Sequence, residues 1–265
     1  RGELFYNFWR DDKNPRGLWR RTTLEEYRKA DPKWELLLDL DALAKAENEN
    51  WVWAGAQALK AGGYRHFLVG LSRGGADAEV VREFDMQTRS FVTDGFQLPE
   101  AKGGAAWVDK DSLFVETDFG PGSMTDSGYP RQVKLWKRGT PLSEARLVYE
   151  GRQTDMSISA GHDDTEGFER DFVYRSIAFY NSEQFLRGAD GGLRRIEVPN
   201  DASASVNREW LLVELRSPWA VSGSTYPAGA LLACRFDDFM AGKRELTILY
   251  EPAANSSLAG YNWTR

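Results

Sequence analysis

AAWVDKDSLFVETDFGPGSMTDSGYPRQVKLWKRGTPLSEARLVYEG, residues 105–151, decides the fold class. It holds four short strand-like runs, 106–108, 113–117, 132–137 and 146–150. Asp109-Lys110-Asp111, a long Gly/Pro/Ser loop from Gly120 to Pro130, and Thr140-Pro141 separate them. Gly, Pro, Asn and Asp supply the dihedrals that chain reversals need, so the pattern predicts a meander of antiparallel strands. One such sheet cannot bury its own faces. It must stack on copies of itself.

The chain holds copies at regular spacing. Look-alikes of the last strand centre on Leu37, Phe91, Val148, Ile196 and Leu249, at steps of 54, 57, 48 and 53 residues. The first strand recurs at Trp53, Trp107, Ser157, Val206 and Tyr261, at steps of 54, 50, 49 and 55. A period of about 50 residues with four strands per unit is the signature of propeller blades. The expected fold is therefore all-β, a β-propeller of four-stranded antiparallel blades with about five present. The blades are expected near 1–40, 51–98, 105–151, 155–199 and 203–252. The first lacks an inner strand, and 256–265 reads as the start of a sixth.

Composition agrees with this class and excludes others. At 265 residues, 42% hydrophobic, the chain is long enough to bury a large core. Ten Trp and ten Tyr suit flat sheets packed face to face. A net charge of −6 argues against nucleic acid or an anionic membrane as the main partner. No apolar run approaches the ~18 residues of a membrane span. The single cysteine, Cys234 in the apolar run LLACRF, excludes an internal disulfide and reads as a buried, inert thiol. The chain lacks a starting Met and opens inside a strand pattern. It reads as a piece of a longer protein, with a cytoplasmic location expected and any targeting segment outside it.

Two motifs invite chemistry. Gly70-Leu71-Ser72-Arg73-Gly74 matches G-x-S-x-G, the turn that lifts a catalytic serine free beside an oxyanion hole. His162 lies downstream of several Asp, as a triad requires. Yet that elbow belongs to a doubly wound α/β sheet, and the chain shows at most three short helical segments. In a propeller the same residues make a blade hairpin, with SRGG as its turn. His162-Asp163-Asp164-Thr165-Glu166-Gly167 gathers acids in a Gly-flanked loop, but its spacing is not that of an EF-hand and one histidine makes no zinc site. It reads as a solvated loop, and no metal or cofactor is expected. His66 falls within a strand.

The runs LVGLSRGGADAEVVREFD (68–85), ETDFGPGSMTDSGYPRQVKLWKRGTPL (116–142), NREWLLVELRSPW (207–219) and the terminal LAGYNWTR resemble the N-terminal propeller of bacterial prolyl oligopeptidase family serine peptidases. The resemblance covers essentially the whole chain, and the long Gly/Pro loop is its most specific element. It implies a seven-bladed propeller that caps an α/β-hydrolase domain and does no chemistry. The propeller excludes folded proteins and admits short peptides. The hydrolase domain, which follows in sequence, carries the Ser–Asp–His triad, so no catalytic residue is assigned in this chain. The implied partners are that C-terminal domain of the same polypeptide and short peptide substrates.

Propeller loops facing the hydrolase would line the substrate cavity, and such walls want aromatic groups with a few polar ones. Phe114, Thr117, Asp118 and Phe119 are the candidates, with blade core as the competing role for Phe114 and Phe119. Length is the departure from the family, because five blades either close at a smaller radius or leave an open arc whose edges invite a dimer. Besides the gate, a stand-alone propeller presenting loops to a protein or glycan stays open, as does an esterase built on Ser72.

Overall fold

The strand His66–Arg73 shows how the sheets stack. Side chains alternate sides along a strand. Phe67, Val69 and Leu71 join one apolar cluster with Trp19, Leu37 and Phe84. Leu68 joins another with Trp107, Leu113, Val115 and Trp136. Both faces of this sheet are therefore buried, one against the first sheet and one against the third.

The computed structural model describes residues 2–262. They fall into two compact units, Arg1–Gln153 with Ile158–His162, and Thr154–Ser157 with Asp163–Arg265. Among the described residues, five antiparallel sheets of three or more strands follow one another along the chain. The first holds three strands, Leu4–Trp9, Leu18–Thr23 and Glu35–Asp39, followed by the helix Leu40–Glu47. Asp39 caps that helix by accepting from the Ala42 N–H at 2.9 Å.

The second sheet pairs Trp51–Ala58, His66–Arg73 and Glu79–Asp85. Its outer strand is not the single run expected around Phe91. Ser90–Phe91 pairs with one end of Glu79–Asp85 and Gln97–Ala101 with the other. The turn Thr93-Asp94-Gly95 divides them, and the Glu83 carboxylate accepts the Phe96 N–H at 2.9 Å in the gap. Short-range turn chemistry here overrode the alternation that marks a strand.

The third sheet takes Gly104–Asp109, Ser112–Glu116, Gln132–Lys137 and Arg146–Glu150 in chain order. It is stapled to the second by Arg138, whose guanidinium meets the fully enclosed Glu83 carboxylate at 2.8 and 3.0 Å. The fourth sheet takes Ser157–Asp163, Arg170–Ala178, Asn181–Arg187 and Leu193–Arg195. His162 and Asp163 thus end a strand rather than opening a solvated loop. The fifth takes Ser203–Asn207, Trp210–Glu214, Leu231–Arg235 and Thr247–Tyr250. Its long connection carries a small hairpin, Trp219–Val221 with Ser224–Tyr226, and the helix Phe236–Met240 precedes the last strand.

In the second unit, Phe172 and Ile196 pack with Leu211, Val213, Leu232, Phe236 and Phe239. Leu212, Leu231 and Ala233 face the other way, against Tyr250, Leu258 and Tyr261. Residues 257–262 form no strand, although an inner strand was expected over 256–265. Tyr261 instead packs as a plug on that face. Residues 263–265 lie outside the described residues.

Phe84 is fully enclosed against Trp19 and Phe91, with ring centroids 5.4 Å away in each case. Phe84→Ala is expected to cost about 3–5 kcal/mol, read as a lower urea midpoint with unchanged slope. Burial pushes the Cys234 thiol up to about 11. A thiol reagent at neutral pH is expected to label Cys234 only on unfolding; labelling at the rate of a free thiol would contradict its enclosure.

Candidate functional site

In the first unit, the connections between second and third strands converge. Tyr129 Oη, in the long loop of the third sheet, donates to Asp77 Oδ2 at 3.2 Å, in the hairpin of the second. Lys102, on the segment crossing between those sheets, stands 3.5 Å from Asp77 and 4.6 Å from the Tyr129 ring centroid. A cation over an aromatic face and beside a carboxylate ties three separate segments together.

The loop itself is ordered by its own polar groups. Ser123 Oγ accepts from the Phe119 N–H at 2.9 Å and lies 2.7 Å from the Gly120 carbonyl and 3.1 Å from Asp118 Oδ1. The Thr125 N–H donates to the Tyr129 carbonyl, and Met124 bridges Pro130. Arg131 reaches the Gly122 carbonyl at 2.8 Å and Glu150 at 2.5 Å. Gln153 Nε2 donates to the Met124 carbonyl at 3.0 Å. Gly103 lets this assembly close. Its φ is +126°, and a Cβ there would stand 2.1 Å from the Glu116 carbonyl oxygen.

The four predicted cavity residues separate. Phe114 is fully buried in mid-strand, between Ala106 and Leu135, and Thr117 is buried as well. Neither offers a surface to a ligand. Strand alternation puts Phe114 on the face opposite Leu113 and Val115, so the sheet's own stacking claims it. Asp118 is exposed and accepts the Gly120 N–H at 2.8 Å. Phe119 is half-buried against the cluster around Trp136, with Lys134 Nζ 4.0 Å from its ring centroid. Only Asp118 and Phe119 of the four reach solvent.

A carboxyl group beside the loop escaped the sequence reading. Glu116 accepts the Ala160 N–H, and burial holds its carboxyl well above the ordinary value of 4.5. The residue as a whole is partly accessible, but its Oε2 is enclosed without a hydrogen-bond partner. A carboxyl raised in the folded state favours folding while protonated, and that contribution fades as pH rises from 4.5 towards the raised value. Glu116→Gln keeps the neutral shape. Urea titrations at about pH 5 and about pH 8 are expected to show the variant gaining stability relative to the parent at the higher pH. An equal difference at both would mean that Glu116 is ionised throughout.

In the second unit, the hairpin after Arg170–Ala178 turns through Phe179 and Tyr180. Phe179 is 86% exposed and Tyr180 64%, with ring centroids 6.4 Å apart. Arg216, in the long connection of the fifth sheet, stacks over Tyr180 at 4.4 Å. The base of the hairpin is firm. Arg175 holds the enclosed Asp155 carboxylate through two bonds of 2.9 Å and meets Glu183 at 3.0 Å. Two aromatics at a tight turn, where Asn and Gly are usual, were the signal in AFYN that the sequence reading passed over.

Ser72 is no nucleophile elbow. It sits inside the strand His66–Arg73, paired with Val52 on one side and Glu79 on the other, and is 3% exposed. The turn expected at Ser72 begins two residues further on, where Gly74 and Gly75 take φ of +66° and +83°.

The description "Prolyl oligopeptidase, N-terminal beta-propeller domain" fits residues 1–167. Two relatives known as uncharacterized peptidases are similar along the chain. Peptidase y4nA of Sinorhizobium fredii is 35% identical over 274 residues, 100% of this chain and 38% of its own length. RP174 of Rickettsia prowazekii is 31% identical over 267 residues, 94% of this chain and 37% of its own. The chain thus spans well under half the length of these relatives. The structure of a post-proline cleaving enzyme from Rickettsia typhi matches with a TM-score of 0.90 at 32% identity, covering 96% of this chain and 39% of that one. A prolyl endopeptidase structure matches in fold, with a TM-score of 0.73 at 12% identity. The chain therefore belongs to the prolyl oligopeptidase family, as an N-terminal β-propeller domain whose blades are the sheets described above.

Proposed function

We propose that this propeller is a non-catalytic gate and substrate selector for a serine peptidase that cleaves short peptides. The hydrolysis would be carried by a C-terminal α/β-hydrolase domain of the same polypeptide. The greater length of the relatives, and their description as peptidases, support a further domain. One contrast carries the reading. The chain's elbow-like serine is shut inside a sheet, while Phe179 and Tyr180 stand out at a hairpin tip whose base is locked. Exposed aromatics on a fixed support suit contact with peptide or with a second domain. Asp118 and Phe119 would add a polar and an aromatic group beside the long loop.

The test uses the full-length peptidase carrying Phe179→Ser with Tyr180→Ser. Removing a contact made equally before and during reaction raises KM and spares kcat. We expect KM for a peptide of about eight residues to rise about tenfold, with kcat on a small chromogenic substrate unchanged. Unaltered kinetics on both substrates would exclude the tip from substrate selection. Unaltered kinetics together with loss of a separate binding partner would favour a propeller that presents its loops to another protein.

A further inference from the structure

We propose that Arg216 and the aromatic tip beside it form a subsite for a carboxylate of the peptide substrate, terminal or side-chain, which deepens the gating role and rests on it.

Arg216 leaves the fifth sheet just after the strand Trp210–Glu214. Its root is fixed. Leu215 is 2% exposed, donates its N–H to the Ala230 carbonyl at 2.9 Å and accepts the Gly229 N–H at 2.7 Å. The guanidinium stands 4.4 Å from the Tyr180 ring centroid. The segments that carry the two are also tied to each other. Ser182 donates its N–H to the Asn200 carbonyl at 2.8 Å, and the neighbouring Asp201 carboxylate accepts the Ser217 hydroxyl. Tyr180 and Arg216 thus meet on a shared support.

The cation is placed but not neutralised. Arg175, Arg187 and Arg235 of the same unit each meet a carboxylate. Among the described residues Arg216 meets none, although the chain carries 40 Asp and Glu against 34 Lys and Arg. Asp201, the acid within this support, is committed to Ser217. Arg216 is exposed, and a guanidinium resting on a ring keeps its N–H fork for a further partner. That fork matches a carboxylate through two parallel hydrogen bonds. Phe179, with its ring centroid 6.4 Å from that of Tyr180, offers a second surface to an apolar side chain next to the carboxylate.

The experiment uses the full-length peptidase and three peptides of about eight residues that share one sequence. One has a free C-terminal acid, one a C-terminal amide, and one the amide with Glu at the penultimate position. We expect KM for the free acid or the Glu peptide to lie about fivefold below that of the plain amide at equal kcat, a difference that shrinks at high salt. A response to the free acid locates a terminal carboxylate; a response to the Glu peptide alone locates a side chain. Arg216→Gln is expected to raise KM of the preferred peptide to that of the plain amide and to leave the amide unchanged. Arg216→Lys is expected to keep part of the preference. Equal KM for all three peptides in the parent overturns the proposal and assigns Arg216 to a partner within the polypeptide. So does a preference that survives Arg216→Gln. The gating role fails on a different readout, when Phe179→Ser with Tyr180→Ser leaves KM of the plain amide unchanged.

Discussion

A sheet that is apolar on both faces has no stable existence by itself, and everything else in this molecule follows from that. The strand His66–Arg73 buries alternate residues in opposite directions, so it needs a neighbour on each side. Trp19 and Phe84 fill one interface, Trp107 and Trp136 the other. Broad aromatic rings span the distance between sheets that aliphatic side chains would fill only in numbers. The same logic governs the second unit, where Leu212 and Leu211 are neighbours in sequence and belong to opposite interfaces.

Non-directional apolar faces do not fix how one sheet registers on the next. The buried charges do. Glu83 is wholly enclosed, and Arg138 satisfies it through both terminal nitrogens. Such pairs add little net stability, because removing both charges from water costs about as much as their attraction returns. What they forbid is a slipped arrangement that would strand the carboxylate without a partner. Arg175 with Asp155 and Glu183 sets the same constraint at the base of the aromatic hairpin.

The blade repeat was legible because it rests on spacing and alternation, which survive divergence. Local interruptions were not. Tyr261 has the aromatic character of an inner strand, yet it plugs a face already formed by Leu212 and Ala233. The Asp94-Gly95 turn breaks an outer strand whose residues alternate correctly. Of the predicted wall residues, Phe114 was lost to the core because its strand is buried on both faces, with Leu113 and Val115 enclosed on the other side. Asp118 and Phe119 fell just beyond the strand end, where alternation gives no guidance. The exposed pair Phe179 and Tyr180 was passed over for a different reason: strand spacing leaves them between two runs, but it does not say that aromatic side chains at that turn stand out into solvent.

The loop from Thr117 to Arg131 has the composition of a tether and the bonding of a small folded element. Ser123 collects three partners, Tyr129 reaches the neighbouring hairpin, and Gly103 seals the base. Its conformational freedom was therefore lost when the blade folded. A molecule that comes to rest against it meets a preorganised surface and incurs no further ordering cost there, so weak contacts suffice to hold it.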